Sequence, residues 1–157
     1  MAVEFTQNTL QEFHRLLERY PTKRAVSLPT LHLAQKEFGY ISDEVIEYVG
    51  ELLDLTPAEV ANVVSFYTMF YRKSMGKYII QVCHTLSCSL LGARHIVDHI
   101  SQKLGIKPGE TTSDGRFSLL KVECLGSCGT APVMQINDDY YEDLTPEKID
   151  DILDGLP

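Results

Sequence analysis

The stretch "KYIIQVCHTLSCSLLGARHIVDHISQKLG", residues 77–105, decides the fold. Its opening, KYIIQVC, is short, apolar and rich in β-branched residues, so it reads as a buried strand ending at Cys83. From Cys88 onward the period changes. Leu90, Ala93, Ile96, Val97, Ile100 and Leu104 recur at helical spacing and predict one amphipathic helix, with Cys88 at its start. Downstream, "IKPGETTSDG" (106–115) is a loop, and "RFSLLKVEC" (116–124) is a second strand ending at Cys124. "APVMQIN" and "DYYEDL", joined by a turn at Asn137–Asp138, form a hairpin. Thr145 and Pro146 open a last helix with Ile149, Ile152, Leu153 and Leu156 inward. Strand, helix, strand, hairpin and helix make a thioredoxin-like α/β order over residues 73–157.

Residues 1–72 read differently. Leu10, Phe13, Leu16, Leu17 and Tyr20 recur at helical spacing behind a capping box expected at Thr9 and Glu12. Pro29 suits the first turn of a second helix and Gly39 its end. Ser42 starts a third, with Val45, Ile46, Val49, Leu52 and Leu53 on one stripe. Thr56, Pro57 and Glu59 open a fourth, carrying Val60, Val63 and Val64. Four short helices with short links predict a small bundle, and the whole chain an α+β or α/β protein. "SFYTMFYRKSMGK", residues 65–77, crowds Phe66, Tyr67, Met69, Phe70 and Tyr71 together, and is expected to pack between the two domains.

Composition limits the function. Net charge is −8 across 157 residues, which argues against nucleic acid as a partner. Between Asp138 and Asp154 eight acids face the single base Lys148. A solvated helix face is the expectation for them, and a dock for a basic partner is the alternative. No apolar run is long enough for a membrane-spanning helix. The start, "MAVEFTQNTLQEF", carries neither a basic segment followed by an apolar one nor an Arg-rich transit pattern. A cytosolic setting is therefore expected, in which thiols stay reduced.

The chain has four cysteines in two close pairs: Cys83 and Cys88, then Cys124 and Cys128. If the two predicted strands are neighbours, both pairs lie at one sheet edge and converge on one centre. A structural zinc site uses four thiolates but favours tighter pairs. A thioredoxin-type disulfide needs C-x-x-C, which is absent. Inert thiols are the bland alternative. A [2Fe–2S] cluster takes four thiolates, and C-x4-C is among its known spacings. Gly126 and Gly129 suit a backbone that aims N–H groups at sulfur. The helix dipole at Cys88 also favours negative charge. Spacing leaves iron–sulfur and zinc both open. His84 reads as a neighbour of the site rather than a ligand, and His95 and His99 as an exposed pair. No nucleotide or flavin motif is visible.

The stretch "VECLGSCGTAPVMQINDDYYEDLTPEKI", residues 122–149, resembles the 24-kDa-type iron–sulfur subunits of respiratory NADH:quinone oxidoreductase (complex I), called NuoE in bacteria. "GIKPGETTSDGRFSLLKVECLGSC" and "SFYTMF" extend the resemblance to essentially the whole chain. It implies a helical part followed by a thioredoxin-like [2Fe–2S] ferredoxin domain, with Cys83, Cys88, Cys124 and Cys128 as ligands and no catalytic residue. Ser87 stands where some relatives have Pro, which bears on hydrogen bonding at the cluster. The resemblance further implies a larger partner subunit of the NuoF type. That subunit carries FMN, a [4Fe–4S] cluster and the NADH site, in the peripheral arm on the cytoplasmic side of a bacterial inner membrane. The chain alone is expected to carry electrons and not to oxidise NADH. Similar subunits serve NAD-linked hydrogenases and formate dehydrogenases. A zinc-stapled interaction module and a thiol–disulfide oxidoreductase are the alternatives of another class.

Overall fold

The computed structural model describes residues 3–157; Met1 and Ala2, the first two residues of the expected helical part, lie outside them. The chain divides into two compact units, one ending at Ser74 and the other beginning at Met75.

The first unit holds α1 (Gln7–Arg19), a 3-10 turn at Lys23–Val26, α2 (Ser27–Phe38), α3 (Asp43–Leu53) and α4 (Pro57–Phe66). Apolar stripes meet in a core that includes Phe13, Leu31, Val49 and Val60. The Thr56 capping box forms as expected: its hydroxyl accepts from Glu59 N–H, and the Glu59 carboxylate accepts from Thr56 N–H. The cap of α1 differs from expectation. Thr6, not Thr9, is the N-cap, and its hydroxyl accepts from Thr9 N–H. Thr6 N–H is bound by the Glu37 carboxylate of α2 at 2.7 Å, so an acid distant in sequence replaces Glu12. Tyr20, expected on the inner stripe, lies beyond the helix and is exposed. In the aromatic stretch, Phe70 joins this unit's core and Tyr67 packs against it, while Phe66 and Met69 are exposed.

The second unit is a four-stranded mixed sheet in the order β2-β1-β3-β4: β1 (Tyr78–Cys83), β2 (Phe117–Val122), β3 (Met134–Ile136) and β4 (Asp139–Tyr141). β1 and β2 are parallel, in register from Tyr78 opposite Phe117 to Cys83 opposite Val122. The antiparallel β3–β4 pair turns through Asn137, whose φ of 53° is the left-handed conformation a two-residue hairpin turn needs. Gly76 leads into β1 so close to β2 that a Cβ would stand 2.8 Å from the Phe117 carbonyl carbon. Alternate residues of β1, Tyr78, Ile80 and Val82, are buried, whereas Ile79 and Gln81 are half-buried. The strand is thus covered fully on one face only, unlike the continuous burial its run of apolar residues suggested.

The single helix expected after Cys83 is two. α5 is Leu86–Leu90, and α6 is Ala93–Leu104. Gly92, at φ 94°, breaks the hydrogen-bonded run between them. Leu90, expected inward, is therefore exposed, while Ile96, Val97 and Ile100 of α6 are buried. α6 packs on β1 and β2 and touches α7 (Pro146–Gly155). Asp150 of α7 binds His99 at 3.0 Å and Lys103 at 3.0 Å, and Asp154 binds Lys103 at 2.9 Å. His99 is thus engaged in this helix contact rather than one of an exposed pair. Ile80, Leu119, Met134, Ile100 and Ile149 fill the core between sheet and helices.

Candidate metal centre

Parallel pairing of β1 and β2 sets the site. Cys83 is the last residue of β1, and Cys124 lies two residues beyond the end of β2, so both cysteine loops leave the same edge of the sheet. β2 stops at Val122, and Cys124 sits in the following loop rather than ending the strand as expected. Cys128 begins a 3-10 turn, Cys128–Thr130. Cys88 is the third residue of α5. That helix has only five residues, so the expected dipole contribution at Cys88 is reduced to that of a single short turn.

The four thiols are free and differ in environment: Cys83 and Cys88 are buried, Cys124 and Cys128 exposed. The Cys124 and Cys128 sulfurs stand 3.5 Å apart. Cys83 and Cys88 lie in one buried cluster with Ala93, Ala131 and Val133. Among the described residues, no three Cys, His, Asp or Glu side chains gather about one point suited to a single ion. The two thiol pairs, on segments that leave one edge of the sheet, together supply the four thiolates that a [2Fe–2S] cluster takes.

The polar groups around the thiols favour anionic sulfur. Burial raises the Cys83 thiol, but the Thr85 hydroxyl and N–H, the Leu125 N–H and Cys88 more than offset this and hold it below the ordinary cysteine range. The Thr85 hydroxyl lies 3.3 Å from the Cys83 sulfur. Cys124 is lowered by the N–H of Gly126, then by Cys128 and by Thr85. Gly126 donates to the Cys124 sulfur at 3.4 Å from a φ of 84°, a conformation that glycine adopts without strain. Gly129, expected in the same role, has an ordinary φ and open space where a Cβ would lie. Cys88 is raised by burial and then by Cys83; Cys128 is raised by Cys124, with the Ser87 hydroxyl acting the other way. Each pair thus contains one thiol that is lowered and one that is raised. His84 turns to the surface, where its ring meets the Glu123 carboxylate at 3.5 Å.

The loop that carries the exposed pair is fastened by residues that no sequence pattern singles out. The Tyr140 hydroxyl donates to the Leu125 carbonyl at 2.8 Å. Glu142, one of the acids expected on a solvated face, receives hydrogen bonds from the hydroxyls of Ser127 and Thr130, the latter at 2.7 Å. Both anchors come from β4 and the residue after it, folded back by the hairpin. Thr85 was findable, as a hydroxyl two residues after a candidate ligand; Glu142 had no linear signal at all.

Residues 13–157 match the thioredoxin-like [2Fe–2S] ferredoxin family. The chain is 46% identical to an NADH-quinone oxidoreductase subunit of Rickettsia bellii over 155 residues, which cover 97% of this chain and 93% of that protein. It is 48% identical to an NADH-quinone oxidoreductase subunit of Thermus thermophilus over 141 residues, covering 88% and 78% respectively. A solved structure of an NAD+-reducing [NiFe]-hydrogenase is similar at a TM-score of 0.71 and 24% identity, over 84% of this chain and 23% of that one. That last likeness is one of fold.

Proposed function

Because the chain belongs to the thioredoxin-like [2Fe–2S] ferredoxin family, we propose that it is the electron-transfer subunit of an NADH:quinone oxidoreductase, with its single [2Fe–2S] cluster held by Cys83, Cys88, Cys124 and Cys128. The observation that carries this reading is that both cysteine pairs follow paired parallel strands at one edge of the sheet, one pair buried and one exposed. When bound, such a cluster accepts and releases one electron at a time. The 3.5 Å contact between the Cys124 and Cys128 sulfurs supports one iron on that pair and the other on Cys83 and Cys88.

The residues around the thiols hold, shield and tune. β1 and α5 fix Cys83 and Cys88 in the interior and exclude water from that side. Thr85 and Gly126 donate to sulfur, which stabilises negative charge there and raises the potential. The exposed loop at Cys124–Cys128 lets a redox partner approach the site closely.

The partner proposed is the larger, NuoF-type subunit with FMN, a [4Fe–4S] cluster and the NADH site. The relatives at 46% and 48% identity are named as NADH-quinone oxidoreductase subunits, which supports this choice over a hydrogenase or formate dehydrogenase module. No helix among the described residues is long and apolar enough to cross a membrane. The place proposed for the chain is the peripheral arm of the complex, on the cytoplasmic side. The test is to add NADH without oxygen to the cluster-loaded chain, alone and with the larger subunit, and to follow the visible bands. Bleaching only in the presence of the larger subunit is expected. Bleaching of the isolated chain at the same rate would overturn the assignment of roles.

A further inference from the structure

The exposed half of the site is tied to a carboxylate that no cysteine motif includes. One oxygen of Glu142, Oε1, accepts hydrogen bonds from both the Ser127 and the Thr130 hydroxyl. Ser127 immediately precedes Cys128, and Thr130 follows it by two residues. The two hydroxyls are also 2.8 Å from each other, and the Thr130 N–H donates to the Ser127 carbonyl at 3.3 Å. A second link runs parallel, since Asp143 N–H donates to the Thr130 carbonyl at 2.8 Å. The 3-10 turn that begins at Cys128 is therefore closed on both sides by groups from the chain just after β4. Glu142 is half-buried, and its two hydroxyl donors, Ser127 first and Thr130 next, hold its carboxyl below the usual glutamate range. A carboxylate thus stands as a fixed negative charge beside the turn. Lys148 counters it: its ammonium binds the Glu142 carbonyl at 2.6 Å, one turn into α7.

We propose that Glu142 is a positioning residue for the Cys128 ligand and, through its charge and the opposing charge of Lys148, sets the reduction potential of the cluster. This rests on the reading that the four cysteines hold a [2Fe–2S] cluster. Adding an electron makes the centre more negative, so a nearby carboxylate opposes reduction and a nearby ammonium favours it. The two roles separate by substitution. Glu142→Gln keeps an oxygen that accepts from Ser127 and Thr130 but removes the charge. Glu142→Ala removes both. Lys148→Gln removes the opposing charge and leaves the carboxylate.

The experiment is an anaerobic redox titration of the full-length chain by visible absorption. Iron and sulfide are assayed on each sample, and the reduced form is examined by electron paramagnetic resonance. Glu142→Gln is expected to move the midpoint upward by about a threefold change in the one-electron equilibrium constant, ~28 mV at 59 mV per tenfold, with the resonance line shape unchanged. Lys148→Gln is expected to move it downward. Glu142→Ala is expected to shift it upward and also to broaden the resonance, because the ligand turn is released. A purely mechanical role for these residues would not give shifts of opposite sign. Wild-type midpoints in both Glu142→Gln and Lys148→Gln, on samples with full iron and sulfide, would overturn the inference. Wild-type protein without iron and sulfide would instead overturn the ligand assignment beneath it.

Discussion

The two cysteine pairs are held in place by different physics. Cys83 and Cys88 are 1% and 2% exposed and pack with Ala93, Ala131 and Val133, so their position comes from strand pairing and apolar burial. Cys124 and Cys128 are exposed, on a loop and at the start of the 3-10 turn that follows it, and hydrogen bonds fix them: Gly126 to sulfur, Tyr140 to Leu125, Ser127 and Thr130 to Glu142. A buried anchor and a solvent-facing, polar-tethered half suit a centre that must be rigid yet reachable by a partner.

The comparison breaks most visibly when a proposed ligand is lost. Replacing Cys88 or Cys128 by Ala is expected to drop bound iron from near two per chain to near zero, since a [2Fe–2S] cluster needs all four thiolates. The two variants then diverge. The cluster-free Cys88→Ala chain loses about 0.5–1.5 kcal/mol relative to the cluster-free parent, as for removal of one buried methyl-sized group. Cys128→Ala stays within about 0.5 kcal/mol. Urea unfolding of the iron-free proteins reads the difference. Equal midpoints would remove the distinction between the pairs.

The platform beneath the buried pair offers the next test. Leu119 is fully buried at the centre of β2, opposite Ile80 in the register that ends at Cys83. Leu119→Ala is expected to cost about 2–5 kcal/mol, measured by thermal or urea unfolding, and to weaken cluster retention at elevated temperature. A loss below about 1 kcal/mol would mean that β1 and β2 are not held by this core.

A substitution on the polar side should act more locally. At Gly126 any side chain must occupy the left-handed region, at a cost of about 1–2 kcal/mol. Gly126→Ala is expected to alter the resonance of the reduced cluster while leaving the far-ultraviolet circular dichroism unchanged. Thr56→Ala in the helical unit serves as the contrast: about 0.5–2 kcal/mol of helix stability lost with its cap, and no change in the cluster's spectrum.

The smallest effect expected is a pH dependence outside the site. Hydrogen bonds from Lys103 and then His99 hold Asp150 below its ordinary value of 3.8. A carboxyl lowered on folding contributes stability that is present above its unfolded value and lost as pH falls through the lowered, folded one. Asp150→Asn is therefore expected to flatten the decline in stability below about pH 4, with little change at neutral pH, where the exposed ion pair adds little. An unchanged acid limb would contradict the α6–α7 contact.

The difference between the pairs also explains what the sequence made legible. KYIIQVC and RFSLLKVEC carry enough β-branched and apolar residues to mark β1 and β2, so the position of each pair just after a strand followed from two local patterns. The strand order supplied the rest. The split of the helix at Gly92 was missed because the stripe from Leu90 to Leu104 keeps helical spacing across the glycine, and periodicity is blind to a single backbone reversal. The Thr6 cap was missed because its supporting carboxylate, Glu37, comes from another helix. Glu142 looked like one acid among eight. Its role depends on the hairpin bringing it 15 positions back along the chain to Ser127, which no local pattern encodes.

The most direct test of the central claim uses the full-length chain purified without oxygen, with visible absorption, iron, acid-labile sulfide and zinc measured on one sample. The proposed four-thiolate centre requires broad visible bands with iron and sulfide each near two per chain. A colourless protein with zinc near one per chain would contradict it and make the two cysteine pairs a structural staple.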